Sequence, residues 1–169
     1  LQRSAKARGY LKSRNVESIA CGYNTGKEMD GMKHCVIFPL KNQAGTITGF
    51  YGRSTVNNDV SRHYYSAHRR GLYPGYPSAD TTRLILTEAV IDAATLGQLP
   101  EITAAYTILA CYGTNGLTPE HKEAIKGLKN LQEIVLFFDG DAPGREAVKK
   151  QAMTLKGICP EIMISTVET

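Results

Sequence analysis

The second half of the chain alternates short apolar runs with segments whose apolar positions recur at helical spacing. Four such runs are bounded by polar residues, as buried strands are: 83–87, 107–111, 134–138 and 161–165. Thr118 followed by Pro119 is typical of the start of a helix, where the Thr side chain caps the first turn. This alternation predicts an α/β fold, with a mostly parallel sheet covered by helices.

The first half of the chain follows another pattern. Near the N-terminus, apolar positions at helical spacing lie among basic residues and predict a short basic helix, with a second short turn over 15–20. Strand-like runs at 35–40 and 46–53 are separated by a glycine-containing loop and predict a β-hairpin. Pro39 has no N–H to donate, so its strand should lie near an edge or at a bulge.

Charge also divides the chain. The net charge is +4, but residues 1–80 hold 12 Lys and Arg against 5 Asp and Glu, whereas residues 81–169 hold 8 against 11. With the change of pattern, this predicts a small basic α+β subdomain over residues 1–80 and an α/β domain over residues 81–169. A basic region beside an acidic one suits an enzyme acting on nucleic acid, because cations must meet its phosphates. Solvated surface charge is the alternative.

The cysteines and the apolar content favour a reduced, cytoplasmic location. Four cysteines lie far apart without a C-x-x-C pair, so we expect neither a zinc site nor a disulfide framework in this chain. No apolar run approaches the length of about 18 residues that a membrane span needs, and no signal peptide is evident. Because the sequence starts at Leu1 without an initiator Met, we expect a piece of a longer protein.

Two carboxylates follow the strand predicted at 134–138. Asp139 and Asp141 are separated by Gly140, and residues two apart in an extended segment point to the same side. Carboxylates this close repel each other unless a cation or proton lies between them, and such oxygen ligands suit Mg²⁺ or Mn²⁺. The pair is a candidate metal site, the alternative being a cap for the following helix.

The carboxyl ends of parallel strands meet at one edge of a sheet, where open α/β sheets bind their ligands. Polar residues follow three of the predicted strands, namely Glu88, Gly113 with Thr114, and Asp139 with Asp141. The sequence therefore predicts one site at this edge. Asp92 lies four residues after Glu88 on the same helical face. We expect it to lie next to the residues that contact the metal without contacting the metal itself, with a surface role as the alternative.

The segment between residues 54 and 80 combines cations with tyrosines. These residues occur in two groups, Arg62-His63-Tyr64-Tyr65 and His68-Arg69-Arg70-Gly71-Leu72-Tyr73. Such a combination can bind phosphates and stack on unpaired bases, each stack contributing on the order of 1–3 kcal/mol. Tyrosines packed in a short strand and arginines on a solvated loop explain the same pattern.

Several of these motifs resemble bacterial DnaG-type primases. The resemblance to their TOPRIM domain lies in Glu88-Ala-Val-Ile-Asp92, Tyr112-Gly113-Thr114 and Phe138-Asp-Gly-Asp-Ala-Pro-Gly144. The basic subdomain that precedes TOPRIM in these primases resembles Tyr10-Leu11 with Arg14, Val36-Ile-Phe-Pro39 and Gly49-Phe-Tyr-Gly-Arg53. The resemblance covers nearly the whole chain. It implies a TOPRIM-like fold and a primase that synthesises short RNA primers on single-stranded DNA from NTPs.

The resemblance also implies roles for individual residues. Glu88, Asp139 and Asp141 would hold Mg²⁺ or Mn²⁺, or Glu88 would act instead as general base. Around them, Asp92, Gly113 and Thr114 would form the supporting shell. The phosphate contacts would be Arg53, Arg69 and Arg70, and His63-Tyr64 takes the place of a Lys-Tyr pair in the family's basic motif. His63 is a weaker phosphate contact than Lys at neutral pH, and Tyr64 would stack on template or pack.

The chain departs from the family pattern at several points. Ala89 replaces the Gly that usually follows the glutamate, which is tolerable if the turn has negative φ. A further D-x-D, a zinc module and a module for a replicative helicase are expected outside this sequence. We interpret the chain as the core of a primase-like protein, with a divergent primase of a mobile element as one form that it could take. The alternatives are a TOPRIM nuclease or topoisomerase-like enzyme, a non-catalytic nucleic-acid-binding module, and a phosphatase-like Mg²⁺ enzyme.

Overall fold

The computed structural model describes residues 4–16, 20–27, 31–56 and 61–167. These residues form eight strands in two sheets. The strands in chain order are β1 (Gly22–Asn24), β2 (Cys35–Lys41), β3 (Ile47–Ser54), β4 (His63–Tyr65), β5 (Arg83–Thr87), β6 (Thr107–Ala110), β7 (Glu133–Phe137) and β8 (Met163–Val167). The first sheet is antiparallel in the order β1-β2-β3-β4, and the second is parallel in the order β6-β5-β7-β8.

Five α-helices and one 3₁₀ turn connect the strands in the described part of the chain. The helices are α1 (Ala5–Ser13), α2 (Val90–Leu96), α3 (Pro100–Thr103), α4 (Pro119–Lys126) and α5 (Ala142–Ile158), and the 3₁₀ turn is Ala67–Arg69. The α/β class and the parallel sheet predicted from the sequence are thus confirmed. The short basic helix near the N-terminus is α1, whereas the turn predicted over 15–20 falls mostly on residues 17–19, outside the described residues.

The predicted hairpin is formed by β2 and β3, which pair along their whole length. Pro39 lies opposite Phe50 of β3, beyond Ile37, where the pairing of β2 with β1 ends. A register shift follows between Leu40 and Lys41. The missing N–H of Pro39 therefore costs no hydrogen bond to β1, because that strand does not reach so far.

Three boundaries in the second half differ from the sequence pattern, which predicts a helix from Glu88 to Gly97, another from Gly144 onwards and a last strand from residue 161. The last strand starts at Met163, two residues later than expected. Helix α2 starts at Val90, because Ala89 remains extended with φ −122°, and its N–H donates to the Asp92 carboxylate at 3.2 Å. The negative φ confirms that Ala89 is tolerable in place of Gly. Helix α5 starts at Ala142, before Gly144, because the residue preceding it supplies a cap.

The parallel sheet is covered on both faces. On one face, Leu84, Leu86, Leu109, Ile134 and Leu136 pack with residues of α4 and α5 such as Ile125 and Leu155. On the other face, Ile85, Ile108 and Val135 pack with α2 and with Val36, Phe38 and Tyr51 of the antiparallel sheet. Successive strand residues alternate between the two faces, as the pleat requires. One core therefore runs across the predicted boundary near residue 80, and it holds the two sheets side by side.

Apolar content in the helices is modest. Across the described ranges, we find no helix that is both long and apolar enough to cross a membrane.

Candidate functional site

Three strand ends of the parallel sheet are tied together by Glu88. Its N–H donates to the Phe137 carbonyl at 3.2 Å, and its own carbonyl accepts from the Gly113 N–H at 3.0 Å. One carboxylate oxygen of Glu88 accepts a hydrogen bond from the Asp139 N–H at 3.3 Å. The parallel order of β6, β5 and β7 thus brings together the predicted residues Glu88, Gly113 and Asp139, because each lies shortly after the end of its strand.

A cleft of about 440 Å³ lies between this edge and the antiparallel sheet. Its charged lining consists of three carboxylates and three guanidinium groups, namely Glu88, Asp92, Asp139, Arg14, Arg53 and Arg69. His63, Tyr65 and Tyr112 complete the polar and aromatic part of the wall. The division of charge along the sequence therefore becomes a division across one cleft, with the carboxylates on the parallel sheet and α2 and the cations on α1, β3 and the 3₁₀ turn.

The carboxylates disturb one another's ionisation. Burial raises the pKa of Glu88, and the negative charges of Asp139, Asp141 and Asp92 raise it further, against the hydrogen bond from the Asp139 N–H. Burial also raises the pKa of Asp92, and so does Asp139, while Arg14 and Arg53 oppose the shift. The carboxylates at this edge of the sheet therefore repel one another, and a bound cation would relieve that repulsion.

Asp141 is placed differently from Asp139. Its side chain accepts a hydrogen bond from the Gly144 N–H at 2.8 Å and caps α5, and it is not among the residues that line the cleft. The sequence pattern predicts that Asp139 and Asp141 converge on one side, but the chain bends at Gly140 and Asp141 before α5 begins. The alternative interpretation, a helix cap, describes Asp141, while its charge is still close enough to raise the pKa of Glu88.

Gly144 fixes the position of the Asp139 backbone. A Cβ atom on Gly144 would lie 1.9 Å from the Asp139 carbonyl oxygen, so only glycine permits this contact between the first turn of α5 and the strand end. The sequence contains a signal for this role, since Gly144 follows the D-x-D motif by three residues, but the same pattern also predicts a helix start there.

The donor set fits a hard divalent cation in type. Glu88 and Asp139 present carboxylate oxygens in one cleft with Asp92 nearby, and oxygen ligands suit Mg²⁺ or Mn²⁺. Among the described residues, however, no three His, Cys, Asp or Glu side chains are grouped closely enough to hold an ion between them. Glu88 and Asp139 are therefore the pair best placed to bind a cation.

Arg53 is held on the opposite wall by two partners. Its Nε donates to the Tyr10 hydroxyl at 3.1 Å, and its Nη1 contacts Nε2 of His63. Only 8% of the residue is exposed, yet it lines the cleft. The Arg69 guanidinium lies over the Tyr65 ring, 4.7 Å from its centroid. Both predicted arginines thus face the carboxylates across the cleft.

Other predicted residues lie elsewhere. Tyr64 packs with the buried Met32, Cys35 and Ile37 on the outer face of the antiparallel sheet, because side chains alternate along β4 and only His63 and Tyr65 face the cleft. Of the two possibilities for Tyr64, packing is the one observed.

Of the three remaining predicted residues, Gly113 lines the cleft, whereas Arg70 and Thr114 do not. Arg70 is exposed and is not part of the cleft wall. Gly113 has φ +90° in the turn after β6 and does line the cleft. The Thr114 carbonyl accepts from Gln151 Nε2 at 3.0 Å, which ties this turn to α5.

Arg14 lines the cleft, although the sequence pattern predicts no role for it. It follows the last residue of α1, and its carbonyl accepts a hydrogen bond from the Thr95 hydroxyl at 3.3 Å. That contact with α2 brings the Arg14 side chain towards Asp92, and its charge opposes the rise in the pKa of that carboxyl. Its basic helix was visible in the sequence, but the contact depends on two segments about 80 positions apart.

Comparison with known proteins shows which families the chain resembles. Residues 85–168 match the family described as Toprim-like. A DNA primase of Buchnera aphidicola is 32% identical over 158 residues, which cover 87% of this chain and 25% of that protein. A DNA primase of Neisseria meningitidis is 29% identical over 135 residues, covering 73% of this chain and 21% of that protein. The chain thus spans about a quarter or less of the length of these relatives.

Among solved structures, a DnaG primase catalytic domain bound to single-stranded DNA has a similar fold. Its TM-score is 0.68 at 20% sequence identity, covering 98% of this chain and 66% of that one. At 20% sequence identity, the structural similarity shows only a shared fold, whereas the matches to the two DNA primase sequences show similarity in sequence. The chain is therefore a relative of the DnaG-type primases and carries a Toprim-like domain at residues 85–168.

Proposed function

We propose that this chain is the core of a primase-like nucleotidyltransferase, which synthesises short RNA primers on single-stranded DNA with Mg²⁺ or Mn²⁺. Template-directed joining of nucleotides needs cations that hold phosphates and carboxylates that hold a metal at the same place. One observation carries the proposal: Arg53, Arg69 and Arg14 face Glu88 and Asp139 across a single cleft. Kinship with DNA primases supports the choice of reaction.

The arginine side of the cleft, formed by Arg14, Arg53 and Arg69, is called the basic wall. It would bind nucleic acid and NTPs through their phosphates. Arg53 is fixed by Tyr10 and His63, so its guanidinium binds with little loss of side-chain freedom. Arg69 is exposed at the edge of the same cleft and would contact a phosphate nearer to solvent. Neither contact reads bases, so binding should depend on salt and not on sequence.

The carboxylate side of the cleft, formed by Glu88, Asp92 and Asp139, is called the acidic wall. It would hold the metal ion and the reacting groups in place. Glu88 and Asp139 would bind the cation, with Asp92 and Asp141 adding negative charge from outside. A bound Mg²⁺ or Mn²⁺ supplies positive charge to the reacting phosphate and its leaving group. The raised pKa of Glu88 suits two roles, a ligand whose repulsion a cation relieves or a general base that takes the proton of the attacking hydroxyl.

The proposed partners follow from the same chemistry. Single-stranded DNA would be the template and NTPs the substrates, and a related DnaG catalytic domain has been solved with single-stranded DNA. A replicative helicase would be bound through a region outside this sequence. The proposed place of action is the cytoplasm, in DNA replication.

A non-catalytic nucleic-acid-binding module is the second candidate, and one observation favours it. Asp141 is engaged in capping α5, and no group of three metal-binding side chains occurs within the residues that the structure describes. A protein in which the cleft only binds phosphates would keep the arginines and need no bound cation.

Incorporation of labelled NTPs on single-stranded DNA separates these candidates. The assay uses the native protein that contains this chain, with Mg²⁺ or Mn²⁺, beside an Asp139→Asn variant. We expect primer synthesis by the wild type and at least a hundredfold loss in the variant, as removal of a single electrostatic group from an active site typically causes. DNA binding without incorporation on any template would instead establish the binding module.

A further inference from the structure

His63 lies between two hydrogen-bonding side chains of the neighbouring strand. It pairs with Arg53 across β3 and β4, so the two side chains project from the same face of the sheet. On one side of the imidazole ring, Nε2 contacts Nη1 of Arg53. On the other side, Nδ1 lies 2.9 Å from the hydroxyl of Tyr51, which is completely buried. The ring is therefore fixed at both nitrogens.

The direction of these hydrogen bonds determines the protonation of the ring. A guanidinium group has only donors, so the ring nitrogen that bonds to it must carry a lone pair. Arg53 Nη1 lies 3.5 Å from Nδ1 and closer to Nε2, which makes Nε2 the acceptor. A neutral ring then bears its proton on Nδ1 and donates it to the Tyr51 oxygen. A protonated ring would place an N–H against the N–H of a cation. Desolvation of the ring, followed by the charges of Arg53 and Arg62, lowers the pKa of His63 to about 4.

A neutral acceptor at this position acts on Arg53. Together with the Tyr10 hydroxyl, it holds the guanidinium of Arg53, which still lines the cleft. The orientation of an arginine decides whether it can bind a phosphate through two parallel hydrogen bonds. His63 is thus in a position to set the orientation of the guanidinium without carrying charge itself.

We propose that His63 is a positioning residue, a neutral hydrogen-bond acceptor that orients the Arg53 guanidinium towards a phosphate of bound nucleic acid and does not bind the phosphate as a cation. This inference rests on the proposed function, since the orientation of Arg53 matters only if the cleft binds nucleic acid. It assigns to His63 a role different from the direct phosphate contact that the sequence suggested.

Two substitutions of opposite character test the role. His63→Gln keeps an acceptor for Arg53, and His63→Lys supplies a cation that opposes it. With a labelled oligothymidylate, binding of His63→Gln should stay within about twofold of wild type, and His63→Lys should be weaker by about tenfold, the effect of one lost charged hydrogen bond. Binding by His63→Lys as tight as wild type would overturn the proposal. Melting curves establish that each variant is folded.

A double-mutant cycle tests whether His63 acts through Arg53. His63→Ala should weaken binding by about tenfold in the wild-type background but by less than about twofold in the Arg53→Ala background. Equal losses in both backgrounds would show an independent phosphate contact and overturn the positioning role. The pH profiles of wild type and His63→Gln, compared between pH 5.5 and 7.5, should superimpose, because other titrating groups are common to both proteins.

The ring protons of the wild-type protein provide a measurement that needs neither DNA nor a variant. Nitrogen-15 spectra of His63 at pH 6.5 should show the tautomer protonated on Nδ1, and an imidazolium or a proton on Nε2 would overturn the arrangement. If wild type binds no oligonucleotide, the proposed function fails and this role with it. If it binds, but the losses are additive or the ring is charged, the proposed function stands and the positioning role alone fails.

Discussion

The Asp139 backbone N–H donates a hydrogen bond to the Glu88 carboxylate over 3.3 Å, which links the ends of two adjacent parallel strands. The residues are 51 positions apart, and nothing local in either segment requires them to meet. The bond holds Glu88 beside the Asp139 carboxylate despite their mutual repulsion. A charge-assisted hydrogen bond of this kind orients one carboxylate oxygen and leaves the other available for a cation.

Removal of the Asp139 carboxylate should abolish the response of the protein to metal. With Mn²⁺ at about ten times its dissociation constant, binding contributes about 1.4 kcal/mol and should raise the melting temperature of the wild type by a few degrees. Asp139→Asn should show little or no shift, whereas Asp80→Asn, at an exposed turn, should behave as wild type. An equal shift in all three proteins would exclude a metal site at Asp139.

Two substitutions of Asp141 separate its capping role from any role in metal binding. Asp141→Ala removes the acceptor for the Gly144 N–H and should lower the free energy of unfolding by about 1 kcal/mol, while Asp141→Asn retains a good cap and should cost less. Urea denaturation measures both. If primer synthesis survives in Asp141→Asn, Asp141 contributes only the cap; its loss at unchanged stability would make Asp141 a member of the metal site.

Neighbouring arginines provide a matched test of the basic wall. Arg69 lines the cleft and Arg70 does not, although both are exposed. Arg69→Ala should weaken binding of single-stranded DNA and reduce the slope of log affinity against log salt by about 0.7, the value for one lost phosphate contact. Arg70→Ala should leave the slope unchanged. Fluorescence anisotropy over a salt series measures this, and the opposite order would move the binding surface out of the cleft.

Two glycines of α5 should respond in opposite ways to alanine. Gly144→Ala places a methyl group 1.9 Å from the Asp139 carbonyl oxygen and should destabilise the fold by about 1–3 kcal/mol while displacing Asp139. Gly157→Ala meets no atom within 4 Å and should be neutral or stabilise the helix by up to about 1 kcal/mol. Denaturation and Mn²⁺ titration of both variants measure the effects. Equal stability would mean that α5 does not pack on the strand end.

His121 should make the protein sensitive to acid. The ring is completely buried, with Nε2 2.8 Å from the Ala110 carbonyl oxygen and Nδ1 2.7 Å from the Thr118 hydroxyl. Burial lowers its pKa to about 4, although the Ala110 carbonyl and Glu120 oppose the shift. The unfolded chain, with a pKa of about 6.5, therefore binds more protons between these values, and stability falls as the pH falls from 6.5 to 4.

The size of this acid effect distinguishes His121 from other groups. Its contribution should amount to at most about 3 kcal/mol across that range, since each pKa unit corresponds to about 1.4 kcal/mol. The free energy of unfolding, measured in urea at several pH values, should therefore fall less steeply in His121→Gln than in wild type. Identical slopes would assign the acid sensitivity to other residues, including His63.

Local pattern was sufficient for most of the secondary structure. The parallel strands and the start of α4 depend on apolar runs and on the Thr118 cap, which act over a few residues. The start of α5 precedes the Gly144 that the pattern predicts, because the D-x-D motif serves two purposes. Asp139 lies at the sheet edge and lines the cleft, whereas Asp141 is the N-terminal cap of α5. A pattern of residue types does not distinguish a capping carboxylate from one that faces a cleft.

The sequence by itself determined the alternation of strands and helices. It also determined that Glu88, Gly113 and Asp139 follow three strands, whose ends meet at one edge because the strands are parallel. Only the tertiary structure decided which cations face these residues. Arg14 and Arg53 come from α1 and β3, and their positions depend on the docking of the antiparallel sheet through Phe38 and Tyr51. Such contacts join segments distant in sequence, so side-chain packing, and not local propensity, sets them.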